Sequence, residues 1–166
     1  EAKDFMKLWE KGIKTEAKIM AFTAGKDREL DHALAAFDVI ASIAHAIMLA
    51  SVQLISDEEK NLLISELLHI YDEIESGHFR IEDDIEDIHS QVEKILTGKV
   101  GDAGKKIHTA RSRNDQVLTD LKLFYREEML QVLISVESLV QQLISMSEEN
   151  KEILLPGYTH LQAAMP

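Results

Sequence analysis

The sequence predicts an all-α protein: an N-terminal helical domain over residues 1–110, followed by the start of a long central helical bundle over residues 111–166. Prolines and glycines together make nine of 166 residues, about 5% where about 12% is usual. The first proline stands at position 156, and apolar residues before it recur mostly every three or four positions. Because helix breakers are rare and the apolar period is helical, long uninterrupted helices are expected.

The first predicted helix runs from Lys26 to about Ser51. Its second half is apolar on almost every face, which is typical of a helix enclosed on several sides. The uncharged run from Val39 to Ile55 is shorter than the roughly 20 apolar residues that cross a bilayer, and it contains serine, histidine and glutamine. We therefore interpret this stretch as a buried helix and expect no membrane partner.

Two further helices are predicted before the first long loop. Ser56, with Glu59 three residues later, forms a capping box that opens a helix stopping near Gly77. A third helix is expected from about Asp83 to Gly98. The following residues, KVGDAGKKIHTARSRND, are expected to form a loop because three glycines fall within seven positions.

This loop is the basic part of an acidic chain. The formal net charge of −12 argues against a general nucleic-acid binder, and the absence of cysteine excludes a disulfide scaffold and a thiolate zinc site in these residues. The cations of the loop are Lys99, Lys105, Lys106, Arg111 and Arg113, with only Asp102 against them before Asp115. Cations beside a helix N-terminus suit a carboxylate or a phosphate, and a solvated loop is the alternative.

A long helix is predicted from Asn114 to about Met146, where neither glycine nor proline occurs. Its length would be about 50 Å, against a radius of gyration near 15 Å for a compact chain of this size. Its apolar residues recur every three or four positions, and a second apolar set widens the stripe beyond what one neighbouring helix covers. The pattern indicates part of an oligomeric helical bundle.

Two shorter patterns could carry chemistry. Asp83, Asp84 and Asp87 form D-D-x-x-D, which on a helix would suit magnesium and a diphosphate substrate, or would be solvated acids near a helix N-terminus. The segment from Leu155 to Gln162 places a hydroxyl, an imidazole and an amide after a turn. Those groups suit proton transfer on a small polar substrate, and an ordinary hydrogen-bonded histidine is the alternative.

Two motifs in order resemble the argininosuccinate lyase family: T-A-R-S-R-N-D-Q-V (Thr109 to Val117) and, about forty residues later, P-G-Y-T-H-L-Q (Pro156 to Gln162). The resemblance extends over nearly the whole chain through Lys7-Leu8-Trp9, the stretch from Asp38 to Ala46, and Glu86-Asp87-Ile88-His89. That family belongs to the fumarase and aspartase superfamily, whose members are homotetramers built around long helices, with sites shared between subunits.

The resemblance implies a β-elimination in arginine biosynthesis: argininosuccinate loses a proton from the carbon beside a carboxylate, the carbon–nitrogen bond breaks, and arginine and fumarate leave. No metal or organic cofactor is implied, and a cytoplasmic homotetramer is expected. His160 is the implied catalytic residue, within the acid–base apparatus. The implied substrate-binding residues are Ser112, Arg113, Asn114, Thr159, Asp87, His89 and Gln162. Donors on the basic loop would stabilise the charge that builds on the substrate carboxylate.

Three departures limit this resemblance. Glu10 follows Trp9 where many members have glycine, and the N-A-S serine near the start is replaced, with Thr23 and Lys26 as candidates for its place. The family's G-S-S-x-M-P loop, which carries a catalytic serine, would lie beyond Pro166, so the 166 residues alone are expected to be inactive. The alternatives are a non-enzymatic delta-crystallin-like structural protein, another superfamily lyase (adenylosuccinate lyase, fumarase or aspartase), or the diphosphate synthase suggested by D-D-x-x-D.

Overall fold

The computed structural model describes residues 26, 30–83 and 85–165. Its helices are α1 (Ala35–Ser51), α2 (Asp57–Glu75), α3 (Ile88–Val100), α4 (Asp102–Lys105) and α5 (Arg113–Asn150), with 3-10 turns at His32–Leu34 and Lys106–His108. Two short strands follow, β1 (Gly157–Thr159) and β2 (Gln162–Met165). The predicted helical class is confirmed, with one small antiparallel sheet added.

The chain divides into two compact units, Glu1–Phe124 and Tyr125–Pro166. The predicted domain boundary near residue 110 stays a prediction. The motif Lys7-Leu8-Trp9 and Thr23 lie outside the described residues, and Lys26 lies in an exposed turn.

Helix α1 begins at Ala35, and Leu30 and Asp31 before it are also helical, with the Leu30 N–H donating to the Lys26 carbonyl oxygen at 3.0 Å. Within the described residues the predicted helix is therefore interrupted rather than continuous. A 3-10 turn precedes α1, and within that turn His32 Nε2 donates a hydrogen bond to the carbonyl oxygen of Phe79 at 3.2 Å. This contact spans 47 residues, so tertiary packing decides where the regular helix starts. The buried face of α1 carries apolar residues together with two polar ones: Ala35, Asp38, Val39, Ser42, Ala46 and Leu49.

Helix α2 confirms its prediction at both ends. The Ser56 hydroxyl accepts from the backbone N–H of Glu59 at 3.1 Å, and the Glu59 carboxylate accepts from the N–H of Ser56 at 3.0 Å. At the other end Gly77 has φ +73°, and His78 N–H reaches back to the Glu73 carbonyl at 2.9 Å. These features form a Schellman motif, which ends the helix. Glycine suits the position because residues with a side chain rarely adopt a positive φ.

The third helix was predicted to start near Asp83, which is five residues before its observed start at Ile88. Asp87 has an extended backbone, and its carboxylate accepts from the N–H of Ser90 at 2.7 Å, so α3 begins at Ile88. Asp83 lies in the preceding turn, and Asp84 lies outside the described residues. The expectation that D-D-x-x-D occupies one helical face is therefore wrong, since Asp83 precedes the helix and Asp87 caps it.

The glycine-containing stretch after α3 is not the open loop that was predicted. It forms α4 and a 3-10 turn, because Ala103 and Ile107 bury their side chains in the core. Gly104 permits this packing: a Cβ there would lie 2.5 Å from the Leu96 carbonyl carbon and the Thr97 nitrogen of α3. The core of the unit is formed by Ala35, Val39, Ala46, Leu49, Ile55, Leu63, Leu67, Ile70, Phe79, Ile88, Val92, Leu96, Ala103 and Ile107.

Helix α5 is confirmed as a long helix, with 38 residues and a length of about 57 Å. Its two buried side chains, Gln116 and Asp120, lie near its start. The apolar residues from Met129 to Met146 are each at least 44% exposed. An exposed apolar stripe of this size is typical of a surface that contacts a partner.

Length and composition alone would allow two of the described helices to cross a membrane, His32–Ser51 and Arg113–Asn150. This is weak evidence, because the core helix of a soluble protein passes the same test, and α1 contributes four of the core residues.

The segment after α5 forms a hairpin that was not predicted. Thr159 pairs with Gln162, so His160 and Leu161 form a two-residue turn with φ +47° and +65°. Positive φ at both positions is typical of a type I′ turn, which usually carries Asn-Gly. His-Leu is not a turn signal, and the hairpin therefore left no local signature in the sequence.

Candidate functional site

The segment of residues 109–116, which follows the 3-10 turn and includes the first turn of α5, is fastened to one face of α1. His45 Nε2 donates to the carbonyl oxygen of Thr109 at 2.9 Å. Burial lowers the pKa of His45, with Arg111 adding to this and the bond to Thr109 opposing it, which favours a neutral imidazole with its proton on Nε2. Arg111 Nη2 donates to Ser42 Oγ at 3.2 Å. The segment thus has anchors on both sides of Ala110.

Arg113, a predicted substrate-binding residue, points toward α3 and its own helix. Its Nε lies 3.4 Å from Asp87 Oδ2, its Nη2 donates to Ser90 Oγ at 3.2 Å, and its Nη1 donates to Gln116 Oε1 at 3.2 Å. The structure therefore brings together two of the predicted site residues, Arg113 and Asp87, as an internal ion pair. Their contact with a substrate stays a prediction.

The expectation of an open cationic loop needs correction. Lys105 pairs with Asp102 at 2.7 Å, and Lys106 pairs with Glu59 of α2. With Arg111 and Arg113 also engaged inside the unit, four of the five predicted cations have partners there. Lys106 and Arg113 pair with acids from outside the loop, Glu59 and Asp87, so a count of charges within the loop alone overestimates its unpaired positive charge.

Ser112 and Asn114 lie at the exposed start of α5. The Ser112 hydroxyl accepts from the N–H of Asp115 at 3.3 Å, and the Asp115 carboxylate accepts from the N–H of Ser112 at 2.8 Å. This is a second capping box, with the S-x-x-D spacing that could have been read from the sequence. The first turn of a helix offers N–H groups to an anion, so the two exposed side chains and this helix start can receive a carboxylate together.

His89 is buried rather than presented to solvent, with 3% exposure. Its Nδ1 donates to Asp38 Oδ1 at 2.8 Å and lies 3.7 Å from Asp120 Oδ2. Burial would lower the pKa of His89, but the hydrogen bond and the charge of Asp38 outweigh it and raise that pKa. The Nδ1 proton of the imidazole is thus held by Asp38, with the carboxyl group of Asp120 beside it. The predicted contact of His89 with the substrate stays a prediction.

The three ligand-type atoms of Asp38, His89 and Asp120 lie within 4.8 Å of one another, a spacing at which a metal ion can bind. The chemistry does not favour one. His89 Nδ1 carries the proton that it donates to Asp38, and Arg111 supplies positive charge to both acids. We therefore interpret the group as a buried acid–imidazole cluster.

Sequence reasoning missed Asp38, Ser42 and Asp120 as members of this region. One signal was present: Asp38 and Ser42 stand on the same helical face as Val39 and Ala46, where only apolar residues are expected. A polar pair inside an apolar stripe indicates buried partners.

In the second unit, the hairpin presents Thr159, His160 and Gln162 at one tip, all exposed. Thr159 and Gln162 are directly paired across the strands, and His160 follows in the turn. The predicted catalytic residue and two predicted substrate-binding residues are thus brought together, and their roles stay predictions.

Replacing Ala110 by glycine is expected to stabilise the protein. Ala110 has φ +61°, a left-handed conformation that costs an alanine about 1 kcal/mol and a glycine little. The anchors at Thr109 and Arg111 hold this strain in place. In urea unfolding of the full-length protein, Ala110→Gly should raise the free energy of unfolding by up to about 1 kcal/mol. The same change at Ala44, an exposed helical position, should lower it by about 1 kcal/mol, and equal losses at both sites would contradict the argument.

A sequence model of one family, described as lyase, matches residues 9–166. The chain belongs to this lyase family. It is 56% identical over 160 residues to an argininosuccinate lyase of Phocaeicola vulgatus and 54% identical over 160 residues to one of Parabacteroides distasonis, in both cases over 96% of this chain and 36% of the relative. An argininosuccinate lyase of Pseudomonas putida is 44% identical over 151 residues, which are 91% of this chain and 32% of that protein. The chain thus spans about a third of the length of the curated relatives it matches.

Proposed function

We propose that this chain is part of an argininosuccinate lyase, which eliminates arginine from argininosuccinate and leaves fumarate. The observation that carries the proposal is the 56% identity over 160 residues, which extends across 96% of the chain. Relatives with that printed function recur at 53% to 54% identity over the same length.

The chemistry of the proposed reaction suits the groups at the start of α5. Removing a proton from the carbon beside a carboxylate places negative charge on that carboxylate in the transition state. Exposed Ser112 and Asn114 and the N–H groups of the first helical turn would receive this charge, with Arg113 held close behind them by Asp87. No metal or organic cofactor enters this proposal.

The hairpin tip would supply the acid–base function. An imidazole changes charge near neutral pH and can move a proton to or from a small substrate. In this proposal His160 is the catalytic residue, while Thr159 and Gln162 hold the substrate by hydrogen bonds. Asp87 and His89 would contribute to substrate binding from the buried side of the α5 start.

We further propose a homotetramer in the cytoplasm, whose sites are shared between subunits. The exposed apolar stripe from Met129 to Met146 supports this assembly, because so large an apolar surface is costly in water. Neither nucleic acid nor a membrane is proposed as a partner.

The direct test measures fumarate by ultraviolet absorbance after argininosuccinate is added to the full-length protein, with a chelator present. Release of fumarate and arginine in equal amounts is expected, and the 166-residue chain alone should release almost none. Adenylosuccinate, malate and aspartate serve as competing substrates. If the folded protein releases fumarate from one of these substrates instead, it is another lyase of the superfamily. If it is folded but inactive on all four substrates, it fits a delta-crystallin-like structural protein.

A further inference from the structure

Asp120 is a buried acid for which the proposed reaction has no use. It lies on the inner face of α5, one and two turns after Gln116 and Arg113, and is 0% exposed. Within the part of the chain that the structure describes, neither of its carboxylate oxygens accepts a hydrogen bond. An ionised carboxylate without hydrogen bonds is costly in such a place.

A second acid makes ionisation of Asp120 still less favourable. Asp38 faces the same ring nitrogen of His89, Nδ1, and receives the short hydrogen bond, at 2.8 Å against 3.7 Å for Asp120. The Nδ1 proton therefore serves Asp38, and Asp120 receives less stabilisation from it. Burial and the charge of Asp38 raise the pKa of Asp120 to about 7, although His89 and Arg111 act against this.

The same residues hold the segment of residues 109–116. Gln116 Nε2 donates to Asp38 Oδ1 at 3.4 Å, and Arg111 Nη2 donates to Ser42 Oγ of α1 at 3.2 Å. Asp120 is buried one turn after Gln116 on α5, beside the end of this segment. A charge that draws water to this position would separate the segment from α1.

We propose that Asp120 is a positioning residue for residues 109–116, and that its uncharged form holds this segment most closely against α1 and α3. The importance of this for catalysis rests on the proposed function, whereas the effect on the segment does not. The charged and titratable groups that face the cluster come from every element packed on it: Asp31, Asp38, Asp87, His89, Glu93, Arg111 and Arg113.

The sign of the pH dependence follows from linkage. When the segment opens, water reaches Asp120 and its pKa returns toward the ordinary value of 3.8, against about 7 in the closed form. The closed form therefore binds an extra proton between these two values, so it loses stability as pH rises from about 4 to about 7 and changes little above that. That range belongs to Asp120. The raised pKa of His89 also makes the closed form less stable as pH rises, but from its ordinary value of 6.5 upward, and a variant of Asp120 is needed to separate the two.

The test is hydrogen exchange of the full-length protein, read at the amides of Asp115 and Gln116, which bond to the Ser112 carbonyl. After correction for intrinsic rates, the opening constant of the wild type should rise about 10- to 100-fold from pH 5 to about pH 7. Asp120→Asn, which keeps the shape without the charge, should lose most of this rise and be at least about tenfold more closed than the wild type at pH 8. Asp72→Asn, at an exposed site on α2, should keep the wild-type profile.

Three results would overturn the proposal. The first is a wild-type profile without pH dependence, and the second is an Asp120→Asn variant that is more open than the wild type at pH 8, which would mean that the charge holds the segment. The third is a loss of protection on adding chelator, which would place a metal ion in the cluster. Amides of Leu63 and Leu67 in the core should not change, which separates a local effect from general unfolding.

A kinetic measurement links the effect to the proposed function. At pH 8 the KM for argininosuccinate of Asp120→Asn should be severalfold lower than that of the wild type, because the segment predicted to bind carboxylates is closed more of the time. If Asp120→Asn alters hydrogen exchange but leaves KM unchanged, the position of the segment does not affect substrate binding. If the wild type releases no fumarate, the proposed function fails while the exchange experiment still decides the role of Asp120.

Discussion

His160→Asn is expected to lower kcat for fumarate release by about 10²- to 10⁴-fold in the full-length protein. The change removes the imidazole that is proposed to move a proton, while leaving a polar side chain in its place. Asparagine also tolerates the left-handed backbone of this position, where φ is +47°. The hairpin should therefore keep its turn, and the loss should fall on chemistry rather than folding. Steady-state kinetics with argininosuccinate and circular dichroism on the same samples measure both.

The matched control is His69→Asn, an exposed histidine on α2, which should keep wild-type kcat and KM. An active His160→Asn protein, within a few-fold of the wild type, would contradict the assignment of acid–base chemistry to this residue. A fall in activity together with loss of helical signal would instead assign His160 a role in folding.

Gly104→Ala is expected to lower the free energy of unfolding by about 1 to 3 kcal/mol, and more if the helices cannot separate. The new Cβ would lie 2.5 Å from the Leu96 carbonyl carbon and 2.6 Å from the Leu96 oxygen. Both are backbone atoms of α3, so no side-chain rotation can relieve the contact, and α4 must move away. Ala103 and Ile107 would then lose core contacts. Urea unfolding of the full-length protein, with hydrogen exchange at α3 to locate the change, measures this loss.

Gly98→Ala provides the comparison of opposite sign. Gly98 lies on an exposed face of α3, and nothing lies within 4 Å of where its Cβ would be. Since glycine inside a helix is less stable than alanine by about 0.5 to 1 kcal/mol, this change should stabilise the protein. Equal effects of the two substitutions would show that helix propensity, rather than the close approach of α4 to α3, governs Gly104.

Features that depend on nearby residues could be predicted from the sequence. The capping box of Ser56 and Glu59 and the stop at Gly77 define α2, and each involves groups within five residues of one another. The long helix α5 follows from its apolar period and the absence of breakers. A second local signal, the capping box of Ser112 and Asp115, was present and was missed in favour of the charges around it.

Features that depend on distant residues could not be predicted. The start of α1 depends on a contact between His32 and Phe79, and Lys106 forms an ion pair with Glu59. In each case the two residues are 47 positions apart. The hairpin at His160 has no usual turn residues, and its strands are only three and four residues long. Local preference is weak in such places, and packing decides the structure.

Spacing along the chain was enough to predict the helical class, most helix positions, and the two motifs that carry the resemblance to a lyase. The directions in which the charged side chains of those motifs face depend instead on tertiary packing. Asp38, His89 and Asp120 are separated by 51 and 31 positions, and they meet only because α1, α3 and the start of α5 pack against one another. Burial then changes their proton affinities, and no count of charges along the sequence contains that effect.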